Sequence, residues 1–169
     1  MDTNQLPKMN MNASETGCCP SFNPEGWDNR AITFENKLFV KTKTRSIFHI
    51  PINMGSVFKR TMKNIEDAKA SPSDSYLILS YDPSAWTSEH FIAIDKEVPN
   101  ESTTTLTGKY QTKVFEGPYR DARKWVSQMA EHMKSSDKEM KKLYFFYTTC
   151  PKCLKYYGKN YVVAFAEVK

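Results

Sequence analysis

The two halves of the chain carry the same order of structural signals. An offset of 67 residues pairs Pro51 with Pro118 and Met62 with Met129. In each half a strand pattern is followed by a helical stripe and then by two further strand patterns. One such unit has a single helix to cover one face of its sheet, so two joined units bury a larger shared core. The sequence therefore predicts an α+β fold of two β-α-β-β repeats related by pseudo-twofold symmetry, with antiparallel sheets and the two main helices on one side.

Local patterns set the expected boundaries. Residues 1–17 lack periodicity and are predicted to form a flexible N-terminal arm. Residues 18–169 are predicted to form one domain, with repeats over about 35–99 and 102–169. Asn53 is expected to cap the first helix through its side-chain oxygen, and the Cys-Pro-Lys-Cys segment is expected to be a loop. Strands are predicted over residues 38–50, 76–81, 90–98, 103–116, 143–147 and 161–168, with helices beginning near Met54 and Ala122.

Composition excludes several classes of protein. A chain of 169 residues is long enough for one real core, and its longest apolar runs are far shorter than a membrane span. The first residues are polar and do not resemble a secretory signal, so we expect a cytoplasmic protein. The net charge of +5 is spread along the chain, which argues against direct nucleic-acid binding. The composition by itself indicates no particular chemistry.

Four segments of the sequence carry a family resemblance. Residues 18–24 read Cys-Cys-Pro-Ser-Phe-Asn-Pro, and residues 112–119 read Thr-Lys-Val-Phe-Glu-Gly-Pro-Tyr. Residues 142–147 read Lys-Leu-Tyr-Phe-Phe-Tyr, and Thr-Thr-Cys-Pro-Lys-Cys follows them. Together they resemble the gyrase-inhibitor-like (GyrI-like) small-molecule-binding domains, in particular a subgroup of small bacterial proteins often labelled hydrolase. The resemblance covers about residues 18–169 and implies a ligand groove between the two repeats.

The resemblance also implies which side chains face that groove. Family members commonly carry Glu-x-Tyr on the strand after the second helix, with the Glu facing the groove. Phe145 and Tyr147 occupy those positions here, so the carboxylate is replaced. By the family geometry, Phe145 and Tyr147 face the groove, while Tyr144 and Phe146 pack under the helices. Some relatives hydrolyse strained electrophilic rings of toxic natural products, which implies a related activity for this chain.

Further groove residues are proposed by analogy between the halves. Tyr81 is the approximate counterpart of Tyr147 and is expected to line the groove from the other side. Trp86 is expected to close one end, and Tyr119 is expected to contribute a further hydroxyl. Aromatic side chains with few polar anchors suit an aromatic or apolar ligand. The alternative is that these aromatic residues belong to the core.

The candidate acids and bases are few. Glu116 and His49 occupy equivalent strand ends, and a pseudo-twofold axis would bring them together across the groove. Such a pair could activate a water, with Glu116 and Tyr147 as the catalytic groups and His49 in the ligand site. The alternative is that Glu116 and His49 are exposed strand-end residues. Glu89 and His90 form a second candidate pair.

The cysteines permit three interpretations. Cys150 and Cys153 have the spacing of half a zinc site, and Cys18 and Cys19 would supply the other half if the arm docks beside them. The same Cys-x-x-Cys pattern also resembles a thioredoxin-type redox site. Packed, reduced thiols are the third interpretation. No cofactor is required in the preferred one.

These observations favour a domain that binds a small aromatic or apolar molecule in a central groove and hydrolyses electrophilic compounds by activating water. One alternative is a non-catalytic module that senses or sequesters its ligand. The other is a redox or zinc-structured protein built on the cysteines.

Overall fold

The computed structural model describes residues 3–12, 14–16 and 19–169 and has an α+β architecture. Three helices accompany the strands in this part of the chain: α1 (Met54–Asp67), α2 (Ala122–Ser135) and α3 (Pro151–Tyr157), with a single 3₁₀ turn at Tyr119–Asp121 before α2. The strands are β1 (Ala31–Ile47), β2 (Ile50–Pro51), β3 (Ile78–Tyr81), β4 (Thr87–Ala93), β5 (Thr103–Glu116), β6 (Met140–Tyr147) and β7 (Tyr161–Val168).

Six of the strands close into an antiparallel barrel. They run in the order β1-β4-β3-β6-β7-β5, and β5 pairs with β1 to complete the circuit. β1 serves two neighbours because it is 17 residues long and bends at a register shift between Phe34 and Lys37. Such a bulge increases the local twist of a strand. Closure leaves no long unpaired edge for another chain to pair with.

Aromatic side chains fill the barrel interior. Trp27, which is 1% exposed, reaches into it from the segment before β1. Its ring centroid lies 5.5 Å from that of Phe146 and 6.3 Å from that of Phe165. The segment is held by its backbone, because the Thr112 hydroxyl donates a hydrogen bond to the Trp27 carbonyl. The N-terminal segment is therefore part of the core.

The two long helices cover different parts of the outer barrel surface. α1 packs on β1, and α2 packs on β5, β6 and β7. Trp125, Met129 and Met133 recur at helical spacing and form the buried face of α2. A separate cluster of aliphatic residues, which includes Ile65, lies beneath α1. The outer face of β3 and its neighbours lies between the two helices.

Several predicted boundaries are confirmed, and others shift. β5 and β7 have the predicted bounds. β1 begins at Ala31 and ends at Ile47, because Phe48 and His49 adopt positive φ angles of 47° and 67° and turn the chain. Asn53 is the residue at the N-cap of α1, but its side-chain oxygen accepts a hydrogen bond from the Arg45 N–H at 2.6 Å and makes none to the helix.

Two structural predictions were wrong. The Cys-Pro-Lys-Cys segment begins a helix, α3, instead of remaining a loop. Tyr144 and Phe146 point into the barrel and do not lie under the helices, since both belong to the interior cluster. Alternation along β6 therefore puts Phe145 and Tyr147 on the outer face, where they pack with α2.

The order of elements agrees with the predicted repeats, because a strand, a helix and two strands occur in each half, with α3 inserted before β7. A symmetry relation between the halves stays a prediction. Described residues of the predicted arm bond to the rest of the domain. The Asn4 N–H donates to the Thr33 carbonyl of β1 at 2.8 Å, and the Met9 N–H donates to the carbonyl of Asp74, between α1 and β3, at 3.3 Å. Within the described ranges, no helix is long and apolar enough to cross a membrane.

Candidate functional site

A row of side chains crosses the outer barrel face between α1 and α2. Strand register aligns His90 of β4 with Ser80 of β3, and Ser80 with Phe145 of β6. Side chains at paired positions point to the same face. We call this surface the interhelical strip and define it by Ser80, His90, Phe145 and Tyr147. Ser80, Phe145 and Tyr147 are only partly buried, so a ligand could reach them.

His90 is the polar centre of the interhelical strip. Its Nδ1 lies 2.8 Å from the Ser80 hydroxyl, and its Nε2 lies 2.8 Å from the Thr44 hydroxyl. The ring of Phe58 on α1 covers it edge-on, with a centroid separation of 4.9 Å. His90 is 1% exposed. The imidazole is therefore fixed in orientation by a hydroxyl at each nitrogen.

Burial controls the charge of this histidine. It lowers the pKa of His90 from 6.5 to about 4, and the nearby carboxylate of Asp82 only partly opposes the effect. At neutral pH the ring is uncharged, with one nitrogen that donates and one that accepts. If the Nε2–H donates to Thr44, Nδ1 accepts the proton of the Ser80 hydroxyl. This arrangement has the form of a nucleophile, a base and a group that orients the base.

The low pKa of His90 predicts a pH-dependent stability. Between pH 6.5 and 4 the unfolded chain binds a proton at His90 and the folded protein does not, so the free energy of unfolding falls as the pH falls. Between pH 7 and 5 the loss should be about 2 kcal/mol. Urea denaturation at the two pH values should show a smaller loss for His90→Gln than for the wild type. Equal losses in the two proteins would show that His90 titrates normally.

Aromatic side chains line one end of the interhelical strip. The ring of Tyr147 lies 6.0 Å from Phe145 and 5.7 Å from Tyr119, measured between centroids. Burial raises the pKa of Tyr147, and Asp82 and Tyr119 raise it further, so the phenol is a neutral donor. Within residues 3–12, 14–16 and 19–169 its hydroxyl makes no hydrogen bond. Tyr147 can therefore offer its hydroxyl to a ligand.

The other end of the interhelical strip is more polar. The Ser88 hydroxyl donates to Asp82 at 2.5 Å, and His49 Nδ1 lies 3.8 Å from the other oxygen of Asp82. Trp86 is 55% exposed and packs against Phe48 at 5.2 Å between centroids. The predicted ligand residues His49 and Trp86 thus lie near Asp82, whereas Tyr119 and Phe145 lie at the aromatic end.

Two predicted site residues are placed away from this surface. Tyr81 faces the barrel interior, where its ring contacts Tyr144 at 5.8 Å and the Lys142 ammonium lies 4.0 Å from its centroid. Glu116 is exposed at the end of β5, opposite Tyr161 at the start of β7. His49 follows the far end of β1, so the strand directions put it and Glu116 at opposite ends of the barrel. The structure does not bring these two side chains together.

Three cysteines lie close together at the base of α3. The sulfurs of Cys19, Cys150 and Cys153 are all within 4.8 Å of one another, so they could bind a metal. We call these three residues the cysteine cluster. Cys18, the fourth predicted ligand, lies outside the described residues.

The thiols of the cysteine cluster differ in acidity. Burial raises the pKa of Cys19. Burial also acts to raise the pKa of Cys153, but hydrogen bonds from Thr16, Cys19 and Cys150 outweigh it and lower this pKa to about 6. The cluster therefore holds one thiolate near neutral pH. Burial raises the pKa of the neighbouring Tyr119 to about 12, and the charges of the three cluster cysteines raise it to a smaller extent.

The contribution of Ser80 and Thr44 was missed at the level of sequence. Ser80 and His90 are ten residues apart on adjacent strands, and only their register makes them neighbours. A serine and a histidine on consecutive strands are the available signal, whereas the sequence analysis pairs His90 only with Glu89. Glu89 points the other way and pairs with Lys41 at 3.5 Å.

Comparisons with solved structures find a similar fold at low sequence identity in two proteins. A hydrolase from Listeria innocua has a TM-score of 0.58 and 12% identity, over 85% of this chain and 92% of that one. A protein of Staphylococcus aureus MU50, described as a bacterial transcription regulation protein, has a TM-score of 0.50 and 12% identity, over 85% and 99% of the two chains. SAV2435, solved with bound tetraphenylphosphonium, has a TM-score of 0.49 and 12% identity, over 84% and 94%.

Comparison with family models shows the family to which the chain belongs. No curated relative matches the sequence. The model of a family described as bacterial hydrolase matches residues 9–168. That range includes the interhelical strip, the cysteine cluster and every strand of the barrel. The chain therefore belongs to the bacterial hydrolase family.

Proposed function

We propose that the protein binds a small aromatic or apolar molecule on the interhelical strip and hydrolyses an electrophilic bond in it. Phe145 and Tyr147 offer partly exposed aromatic surface on this face, and flat apolar ligands are bound by such surfaces with a few polar anchors. The match to the bacterial hydrolase family supports the reaction class. We also propose that the chain belongs with the GyrI-like small-molecule-binding domains.

The observation that carries the proposal is the hydrogen-bonded chain of Ser80, His90 and Thr44. Both of its contacts are 2.8 Å long, and its outer member, Ser80, is the partly exposed one. A hydroxyl that donates to a neutral imidazole is the arrangement by which serine becomes nucleophilic. Tyr147 lies on the same face with a hydroxyl available to the ligand.

The proposed reaction on an ester proceeds in two steps. The Ser80 oxygen attacks the electrophilic carbon while its proton passes to Nδ1 of His90. That proton then reaches the leaving oxygen as the carbon–oxygen bond breaks, which leaves an acyl group on Ser80. Water attacks the acyl group in the same way, and the acid and free Ser80 are released. Tyr147 donates a hydrogen bond to the oxygen on which negative charge develops.

Tyr147→Phe tests the binding surface. The substitution removes one hydrogen-bond donor and leaves the ring, so ligand affinity should fall about 5-fold, as expected for one neutral hydrogen bond. Tyr81→Phe is the matched control because Tyr81 faces the barrel interior. Binding of aryl esters, aromatic lactones and aryl epoxides is measured by tyrosine and tryptophan fluorescence. A larger loss for Tyr81→Phe than for Tyr147→Phe would locate the ligand elsewhere.

A non-catalytic binding module is the second candidate. Three observations favour it, and the first two concern His90: it is almost fully buried, and its pKa of about 4 makes it a weak base. Phe145 also stands where the resemblance expects a carboxylate. In that case the ligands bind and Tyr147→Phe weakens them, but no product forms. Product analysis of the same panel separates the two functions.

The remaining sequence predictions belong to the same proposal. Glu116 is predicted as a catalytic group, and Glu116→Gln tests that role directly. If Ser80, His90 and Thr44 are sufficient for the reaction, Glu116→Gln should hydrolyse the substrate as fast as the wild type. The pseudo-twofold relation between repeats is supported by the shared order of strands and helices. Under that relation, α1 and α2 are equivalent walls of one groove.

A further inference from the structure

We propose that the cysteine cluster binds one Zn²⁺ ion through the thiolates of Cys19, Cys150 and Cys153, and that this ion fastens the N-terminal segment to the connection between β6 and β7. The inference is independent of the proposed hydrolase activity. It concerns a different part of the barrel and different chemistry.

The positions of the sulfurs fit zinc coordination. Zinc–sulfur bonds of about 2.3 Å in a tetrahedron hold sulfurs about 3.8 Å apart. The three sulfurs of the cluster lie within 4.8 Å of one another, so small side-chain movements complete the geometry. Cys150 and Cys153 are separated by two residues, which is the spacing by which one turn presents two thiolates to the same ion. A fourth donor would complete the tetrahedron.

The surroundings of the cluster suit thiolates. The Cys150 N–H donates to the Cys19 sulfur at 3.4 Å, and the Thr16 hydroxyl lies 3.2 Å from the Cys153 sulfur. Lys152 and Lys155 line a surface depression of about 440 Å³ together with Thr16. Cys153 is fully buried, which limits the access of water to the site.

The site joins segments that are distant in sequence. Cys19 belongs to the segment that carries Phe22 and Trp27 into the barrel, and Cys150 and Cys153 belong to the β6–β7 connection. Tyr157 of α3 already donates to the Cys19 carbonyl at 2.9 Å. A metal ion here would close a loop of more than 100 residues, which stabilises the folded state by restricting the unfolded one.

The connection also reaches the interhelical strip. The Tyr119 hydroxyl donates to the carbonyl of Thr149, the residue before Cys150, and the Tyr119 ring packs on Tyr147. Fixing the start of α3 therefore also fixes the Thr149 carbonyl, to which the Tyr119 hydroxyl donates. Metal binding should order the aromatic end of the ligand surface without contacting a ligand.

The test uses the full chain purified under reducing conditions. We expect one equivalent of zinc per chain by mass spectrometry, and after exchange with Co²⁺ we expect thiolate-to-cobalt charge-transfer absorption with the visible bands of a tetrahedral ion. Cys150→Ser and Cys19→Ser should weaken Co²⁺ binding at least about 100-fold. Loss of a residue that only hydrogen-bonds to a metal ligand already lowers metal affinity about 10–100-fold. Tyr156→Ser, an exposed position on α3, is the control and should bind as the wild type does.

A second readout does not depend on variants that fold poorly. Adding zinc at 100 times its Kd to metal-free wild type should raise the Tm by about 5–10 °C. The same addition should slow proteolysis within residues 3–12 and 19–22. Three results would each overturn the proposal: reduced wild type binds neither ion, the two serine variants bind Co²⁺ as tightly as the wild type, or two cluster cysteines form a reversible disulfide in a protein that takes up no metal.

Discussion

Alanine in place of Ser80 should lower kcat/KM for an aryl ester by at least about 100-fold, the lower end of what general acid–base and nucleophilic groups contribute. Ser80 is the exposed end of the hydrogen-bonded chain through His90 to Thr44. Without its hydroxyl, the imidazole has no proton to accept and the ester carbon has no nucleophile at this position. The measurement is the initial rate of ester cleavage over a range of substrate concentrations.

His90→Gln should cause a loss of the same size, because glutamine can bond to both hydroxyls but does not accept the proton. Residues that act as one unit show losses that do not add. The double variant should therefore be no slower than either single variant. Ser127→Ala, on the exposed face of α2, is the matched control and should retain full activity. Losses that multiply in the double variant would show that Ser80 and His90 act separately.

Trp27→Ala should reduce the free energy of unfolding by about 3–5 kcal/mol, as expected when a large buried aromatic side chain is removed. Trp27 is 1% exposed and contacts Phe22, Phe146 and Phe165 inside the barrel. The cavity would lie at the centre of the interior cluster, where the closed strands cannot collapse to fill it. Urea and thermal denaturation followed by circular dichroism measure the loss.

The control for this prediction is another tryptophan. Trp86 is 55% exposed, so Trp86→Ala should change the free energy of unfolding by less than about 1 kcal/mol. The Tm of Trp27→Ala should fall by about 10 °C for a chain of this size. Similar stabilities for the two variants would mean that the segment before β1 does not pack in the barrel in solution.

The sequence was sufficient for elements with clear local signals. β5 alternates and ends at Gly117-Pro118, and its bounds agree with the prediction. α3 is not predicted, because the Cys-x-x-Cys spacing is typical of a metal-binding turn. Two helix signals are nevertheless present: proline at the first position of α3, and Gly158 at its end with a φ of 72°. Barrel closure was beyond sequence reasoning, because it depends on how β1 bends between Phe34 and Lys37.

Alternation alone also does not tell which face of a strand points into the barrel. It placed Tyr144 and Phe146 on one face of β6, but it could not say that this face is the barrel interior. For the same reason, Tyr81 was assigned to the groove although it lies on the inner face. The candidate site depends on register across three strands, which brings Ser80 and His90 together. The sequence left open whether the segment that carries Cys18 and Cys19 lies beside Cys150 and Cys153, and the structure places Cys19 there.

The most direct test of the account is to find where an ester leaves its acyl group. The wild type is mixed with 4-nitrophenyl acetate, quenched in acid during turnover and digested, and its peptides are sequenced by mass spectrometry. We expect an acetyl group on Ser80 that disappears on further incubation and is absent from His90→Gln. Acetyl groups found only on lysines, to the same extent in the wild type and in Ser80→Ala, would contradict it.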